Sequence, residues 1–309
     1  MKEFNNYSFL AIGKTQESTE TAEGFKKYIG LGSSYVLAVN PDKKKMEELL
    51  GHELKEEPKY LIKNEETGKV EEARVTFVVR TDPKTNNDIE ITNLLTVPIK
   101  MTPEYNRDET TMRVIDKYGN SVRVNSEDAK AGKALAPNMK IDQNNYRIAY
   151  SGEADLVAFL KQYLGVPYSL NYINGTWVVS DKAQEGLFEL EKIKDYFNGD
   201  FSEVRKAISL QEHNKVKLLY GVRTAETENG TRQYQTIATK GDFILRNNAG
   251  SNAIAKLEKD LKSAKDAGSY PTTDFEVCEL KEWTVQPTNL DTSSAQATSA
   301  SDNKMPWDN

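Results

Sequence analysis

The stretch that most narrows what this chain can fold into is Lys215 to Arg246, KVKLLYGVRTAETENGTRQYQTIATKGDFILR. Lys215 to Arg223 reads as one strand, Glu226 to Gly230 contains an Asn-Gly turn, Arg232 to Thr239 returns as a second strand, and Asp242 to Arg246 begins a third. Side chains alternate across a strand, so Lys215, Lys217 and Arg223 share a face opposite Val216, Leu218, Tyr220 and Val222. On the returning strand Arg232, Tyr234 and Lys240 share a face. A chain carrying this unit has to build a sheet with one apolar face that something else covers.

The preceding sequence supplies partners for it. Ser34-Tyr35-Val36-Leu37-Ala38-Val39 is a β-branched run that predicts a buried strand. Asn40 is placed to cap the helix that follows, with Pro41 in its first turn, Met46, Leu49 and Leu50 on one face, and Gly51 as its stop. A hairpin then runs from Tyr60-Leu61-Ile62 through a turn at Asn64 to Gly68 and back along Ala73 to Arg80, where Val75, Phe77 and Val79 oppose Arg74, Thr76, Val78 and Arg80. Ile89 to Lys100 is extended again. Residues 101–145 are polar, hold a small hairpin around Tyr118-Gly119-Asn120, and are expected to form an insertion with little core of its own. After a strand at Tyr146 to Tyr150, Ser151 opens an amphipathic helix through Leu164 that Gly165 stops. Ser251 to Ala267 predicts a charged amphipathic helix, and Asp274 to Val285 a closing strand. This order predicts an α+β fold, mainly a β Greek-key barrel elaborated with helical insertions. The expected organisation is an N-terminal arm (1–28), a body (29–290) with an insertion around 101–145, and a disordered C-terminal tail (291–309).

With 309 residues, 38% of them apolar, the chain is long enough for a sizeable core. Its one cysteine, Cys278, excludes an internal disulfide, and His52 and His213 do not complete a structural zinc site with it. No GxxxxGK[ST] loop occurs, and Gly30-Leu31-Gly32 precedes a strand where a dinucleotide site needs a strand-to-helix turn. No catalytic residue, metal or cofactor is expected. Neither a secretory leader nor an apolar run of membrane-spanning length is present, so a cytoplasmic protein without a membrane partner is expected. One enzyme-like pattern stands as an alternative. Glu279-Leu280-Lys281 with Asp242 on a neighbouring strand is the residue set of a metal-dependent nuclease, although such triplets arise by chance in a chain with 28% charged residues.

The binding pattern is better developed. With a formal net charge of -6, any contact with nucleic acid has to come from a local basic face. Lys215, Lys217, Arg223, Arg232, Tyr234, Lys240, Phe243 and Arg246 interleave cations with aromatic rings, which suits the phosphates and exposed base faces of a single strand. Arg74, Arg80, Arg147 and Tyr220 are candidates to extend the track, Tyr220 from the apolar side of its strand. Tyr146, Tyr150 and Trp177 are weaker candidates, equally suited to a core. The tail, DTSSAQATSASDNKMPWDN, carries small polar residues until Met305, Pro306, Trp307 and Asp308, an apolar tip beside acid that suits a partner-binding peptide.

A tether ending in DNKMPWDN resembles the tails of single-stranded DNA-binding proteins. The run KYIGLGSSYVLAVNPDKKKMEELLG, followed by EEPKYL and ARVTFVVRTD, resembles the opening of large single-stranded DNA-binding proteins of tailed phages, including crAss-like ones. The resemblance implies an OB-like barrel, sequence-tolerant coating of single-stranded DNA, and recruitment of replication or recombination proteins through Met305, Pro306, Trp307 and Asp308, in a host cytoplasm if the chain is phage-encoded. Self-association is left open. A virion structural or packaged protein is the alternative from a different class.

Overall fold

A computed structural model describes residues 26–284 except 92–93, 117, 137, 166–169, 174–175, 180–187, 211–213, 228–229 and 270–272, and leaves the side chains at 170–173, 176–179, 225–227, 230–232 and 273–274 undescribed. The tail and nearly all of the N-terminal arm lie outside these residues.

The first strand, β1 (Tyr28–Val39), begins earlier than its β-branched run. It does not lead directly into a cap at Asn40. The helix α1 (Lys43–Leu50) is capped by Asp42, which accepts the Lys45 amide, and ends at Gly51 in the left-handed conformation. Asn40 is instead buried, has a φ of 41°, and accepts the Thr76 amide while donating to the Arg74 carbonyl. Its side chain serves as a bridge to the next strand where the backbone of β1 turns away.

β2 (Leu61–Lys63) and β3 (Val70–Thr81) form the expected hairpin, and β4 (Leu95–Met101) lies on the other edge of β3 with Val79 opposite Leu95 and Ala73 opposite Met101. The insertion has more core than its polarity predicts. β5 (Thr111–Asp116), β6 (Ser121–Asn125), α2 (Ser126–Lys130) and β7 (Tyr146–Ile148) make a three-stranded sheet in the order β6-β5-β7, closed by Met112, Val114, Val124, Ala129, Leu135 and Ile141. Three of those six come from a small helix and two loop positions, where no period of two or 3.6 announces them.

α3 (Glu153–Leu164) is the central helix. Leu156, Phe159, Leu160 and Tyr163 enter the inner face of the large sheet, and the Phe159 ring stacks on Phe77 with centroids 3.8 Å apart. β8 (Leu170–Ile173), β9 (Thr176–Val179) and β10 (Phe188–Glu189) form a second three-stranded sheet; α4 (Ile193–Tyr196) and α5 (Ser202–Ser209) follow and add Ile193, Tyr196, Val204 and Ala207 to the same core.

β11 (Lys215–Thr227) completes the large sheet. It pairs antiparallel with β1, Gly30 opposite Tyr220 and Tyr35 opposite Lys215. Along its other edge run β12 (Gly230–Ile237) and then β13 (Ile244–Arg246). α6 (Ser251–Asp266) follows. The single closing strand expected over Asp274 to Val285 is replaced by two short pieces, β14 (Thr273–Phe275) on β11 and β15 (Lys281–Glu282) on β1. Between them the chain crosses β1, where the Leu31 amide donates to the Cys278 carbonyl. Gly30 makes that crossing possible: its φ is 114°, and a Cβ there would sit 2.6 Å from the Glu279 carbonyl oxygen.

The fold is therefore mixed α+β. β4 and β12, the outer members of the large sheet, approach each other within 8 Å between Cα atoms, but no ladder joins them among the described residues, so the sheet stays open and the expected barrel is not closed. No helix among the described residues is long and apolar enough to cross a membrane.

Candidate nucleic-acid interface

β11 carries the alternation expected of it. Val216, Leu218 and Tyr220 face the core under α3, and Lys215, Lys217, Leu219 and Arg223 face the other way. The outer face, however, is not open along its length. Leu257 and Leu261 of α6 pack over Leu219, Ala238, Phe243, Leu245 and Phe275, making a second core on the middle of the face that sequence left to solvent. The basic face is thereby divided into two ends.

At the hairpin end, Tyr234 of β12 stands directly opposite Arg223 of β11. Tyr234 is 45% exposed, one of two large hydrophobic side chains that are exposed among the described residues, the other being Tyr118 in the insertion. Arg232 pairs with Ala225 two residues further toward the turn, and its side chain lies outside the described residues. Lys240 is exposed at the start of the short 3-10 turn that precedes β13.

At the other end, β3, β1 and β11 place Arg80, Tyr35 and Lys215 in one row, with Lys217 opposite Ser33 in the next. Lys215 is engaged: its ammonium forms an ion pair with Asp82, whose side chain is 3% exposed, and lies 4.8 Å from the centroid of the Tyr35 ring. Burial pushes the Asp82 carboxyl up, but hydrogen bonds from Lys215, Thr85 and the Lys84 amide outweigh it and hold the carboxyl below the usual range. The same hydrogen bond to Asp82 holds the Lys215 ammonium above its usual value. Lys217 and Arg80 are half-buried.

Several of the residues singled out in sequence do other work. Tyr220 is fully buried, with its hydroxyl 2.6 Å from Ser34 Oγ. Phe243 belongs to the core beneath α6, so it offers no free ring for stacking. Arg246 is opposite Val216, on the face away from Lys215 and Lys217. Arg74 pairs with Glu72 on its own strand, and Arg147 pairs with Glu153 at the start of α3 with little of either side chain exposed. Tyr150 is core and Tyr146 donates its hydroxyl to the Lys133 carbonyl. The side chain of Trp177 and all of Met305, Pro306, Trp307 and Asp308 lie outside the described residues.

The nuclease pattern is not assembled. Lys281 pairs with Glu276 at 3.0 Å, Glu279 lies beside Leu31 where the chain crosses β1, and no three His, Cys, Asp or Glu side chains converge on a metal-sized site among the described residues.

Two aromatic positions escaped sequence reasoning. Tyr35 sat in a run read as wholly buried; its only signal was its parity, opposite to Val36. Tyr105 lies between two ammonium groups, Lys69 at 5.6 Å and Lys130 at 5.5 Å from its ring centroid, and joins the insertion to the β2–β3 turn. Compared with known protein families, curated proteins and solved structures, the chain has no significant match in any of the three.

Proposed function

We propose that this chain is a non-catalytic single-stranded DNA-binding protein of a phage replication or recombination system, with an OB-like body and a partner-recruiting tail. The observation that carries the reading is the connectivity of the large sheet. Counting β1, β3, β4, β11 and β12 as first to fifth, the first pairs with the second and the fourth, the second with the third, and the fourth with the fifth. The third approaches the fifth, with no ladder between them among the described residues, and α3 lies in the connection between third and fourth. A partly open five-stranded Greek-key barrel with these connections is the architecture that proteins use to hold oligonucleotides.

Fold alone does not assign function, and the outer face adds the chemistry. The Arg223–Tyr234 pair sets a cation beside an exposed ring, and Lys217 and Arg80 add positive charge further along the same face. Rings stack on any base, and cations meet any phosphate, so the reading implies little sequence preference. Met305, Pro306, Trp307 and Asp308 are assigned to partner recruitment by their chemistry in the sequence.

Fluorescence anisotropy of a labelled oligothymidine, titrated with the full chain across a salt series, tests the proposal. Affinity should fall as a power of salt concentration. Tyr234→Ala should weaken binding by about 1–3 kcal/mol. Absence of binding at low salt would overturn the reading.

A further inference from the structure

The row Arg80–Tyr35–Lys215 differs from the rest of the outer face in having its geometry already set. Asp82 is nearly buried and is anchored by the Lys84 amide at 3.2 Å and the Thr85 hydroxyl at 3.0 Å; it holds the Lys215 ammonium, which in turn lies over the half-buried Tyr35 ring. Two features follow. An ammonium whose charge is already met by a carboxylate releases few counterions on meeting a phosphate, so Lys215 is poorly suited to the role its alternation suggests. A ring already fixed by a cation and a strand loses little freedom when a base stacks against it. Two further cations share the face by register: Arg80 opposite Tyr35 on β3, and Lys217 two residues along β11 from Lys215.

We infer that Tyr35 is a second base-stacking residue of this face, that Lys215 is its positioning residue, and that Arg80 and Lys217 meet the flanking phosphates. The inference rests on the single-strand-binding reading and deepens it. Tyr35 and Tyr234 lie opposite Lys215 and Arg223 on the same face of β11. Those positions are eight residue steps apart along β11, about 27 Å at strand rise. That places one stacking station at each end, with α6 between them, within the ~4–16 nucleotides that one OB fold spans.

The test uses the full chain and labelled oligothymidine. Tyr35→Leu should weaken binding about 5- to 150-fold with the salt slope unchanged, and Tyr35→Phe should restore it. Lys215→Met should weaken binding with the slope likewise unchanged, because it disturbs the ring and removes no phosphate contact, whereas Lys217→Ala should make the slope shallower by about 0.7. Ultraviolet cross-linking of the unmutated chain to bromodeoxyuridine oligonucleotides should mark the peptide containing Tyr35, a readout independent of whether any variant folds. Wild-type affinity in Tyr35→Leu, a reduced slope in Lys215→Met, or cross-links that omit Tyr35 would each overturn the assignment. A wild-type chain without affinity at low salt would instead remove the reading beneath it.

Discussion

Alternation along β11 makes Lys215 a candidate phosphate contact, and its side chain takes the outer face that this alternation requires. Its partner is Asp82, 133 residues earlier. Alternation tells which face a side chain takes and is silent about what arrives opposite it. The consequence can be measured. Asp82 has a lowered folded-state value, so its contribution to stability is complete above the ordinary carboxylate range and is lost as pH falls through that lowered value. Lys215 has a raised one, so its contribution persists below the ordinary lysine value and is lost only as pH rises beyond it. The pair therefore stabilises the fold throughout the neutral range. Asp82→Asn, which leaves Lys215 without its carboxylate in a half-buried site, should cost about 1–3 kcal/mol at pH 7. The gap between variant and parent should narrow below about pH 4; urea unfolding at the two pH values checks both statements. Tyr220 and Phe243 make the complementary point. Each was a reasonable stacking candidate as a residue type, and each is core because an aromatic ring beside a strand is as useful to packing as to a base.

Among the elements, α3 was legible nearly to the residue. Its apolar spacing, its glycine stop and the polar turn before it are all local, and the helix runs from Glu153 to Leu164 with Gly165 after it. α6 was legible as a helix, and the surface it covers was not. Leu257 and Leu261 announce an apolar stripe, but only the return of β13 and β14 to β11 brings Leu219, Leu245 and Phe275 beneath it. The insertion was underestimated for a related reason. Leu135 and Ile141 are isolated apolar residues in polar loops, and they become core only because the β5–β6 hairpin folds against them. Phe159→Ala, which removes the ring stacked on Phe77 at the centre of the large sheet, should cost about 3–5 kcal/mol. It should appear as a lowered unfolding midpoint, with DNA affinity per folded molecule unchanged, since no part of that ring reaches the outer face.

The molecule as a whole is organised by β1, which pairs with β3 on one edge and with β11 on the other and so joins strands more than a hundred residues apart in sequence. The open seam between β4 and β12 lies at the far ends of that arrangement. If the body holds DNA and the tail recruits partners, removing Asp291 to Asn309 should leave the unfolding midpoint and the DNA affinity equal or raised while abolishing capture of replication proteins; a large loss of DNA affinity in the anisotropy assay would contradict that division of labour. By itself the sequence determined the antiparallel return of β12 on β11, the inward Val75, Phe77 and Val79, and the outward Lys217 and Tyr234. Those properties come from periodicity, turn residues and caps, which act over a few positions. Only the tertiary structure decided which of the outward residues stay available. α6 covers the middle of the face, Asp82 engages Lys215, and Glu153 engages Arg147. Burial and charge pairing depend on what distant segments bring to a surface, and no local pattern encodes that arrival.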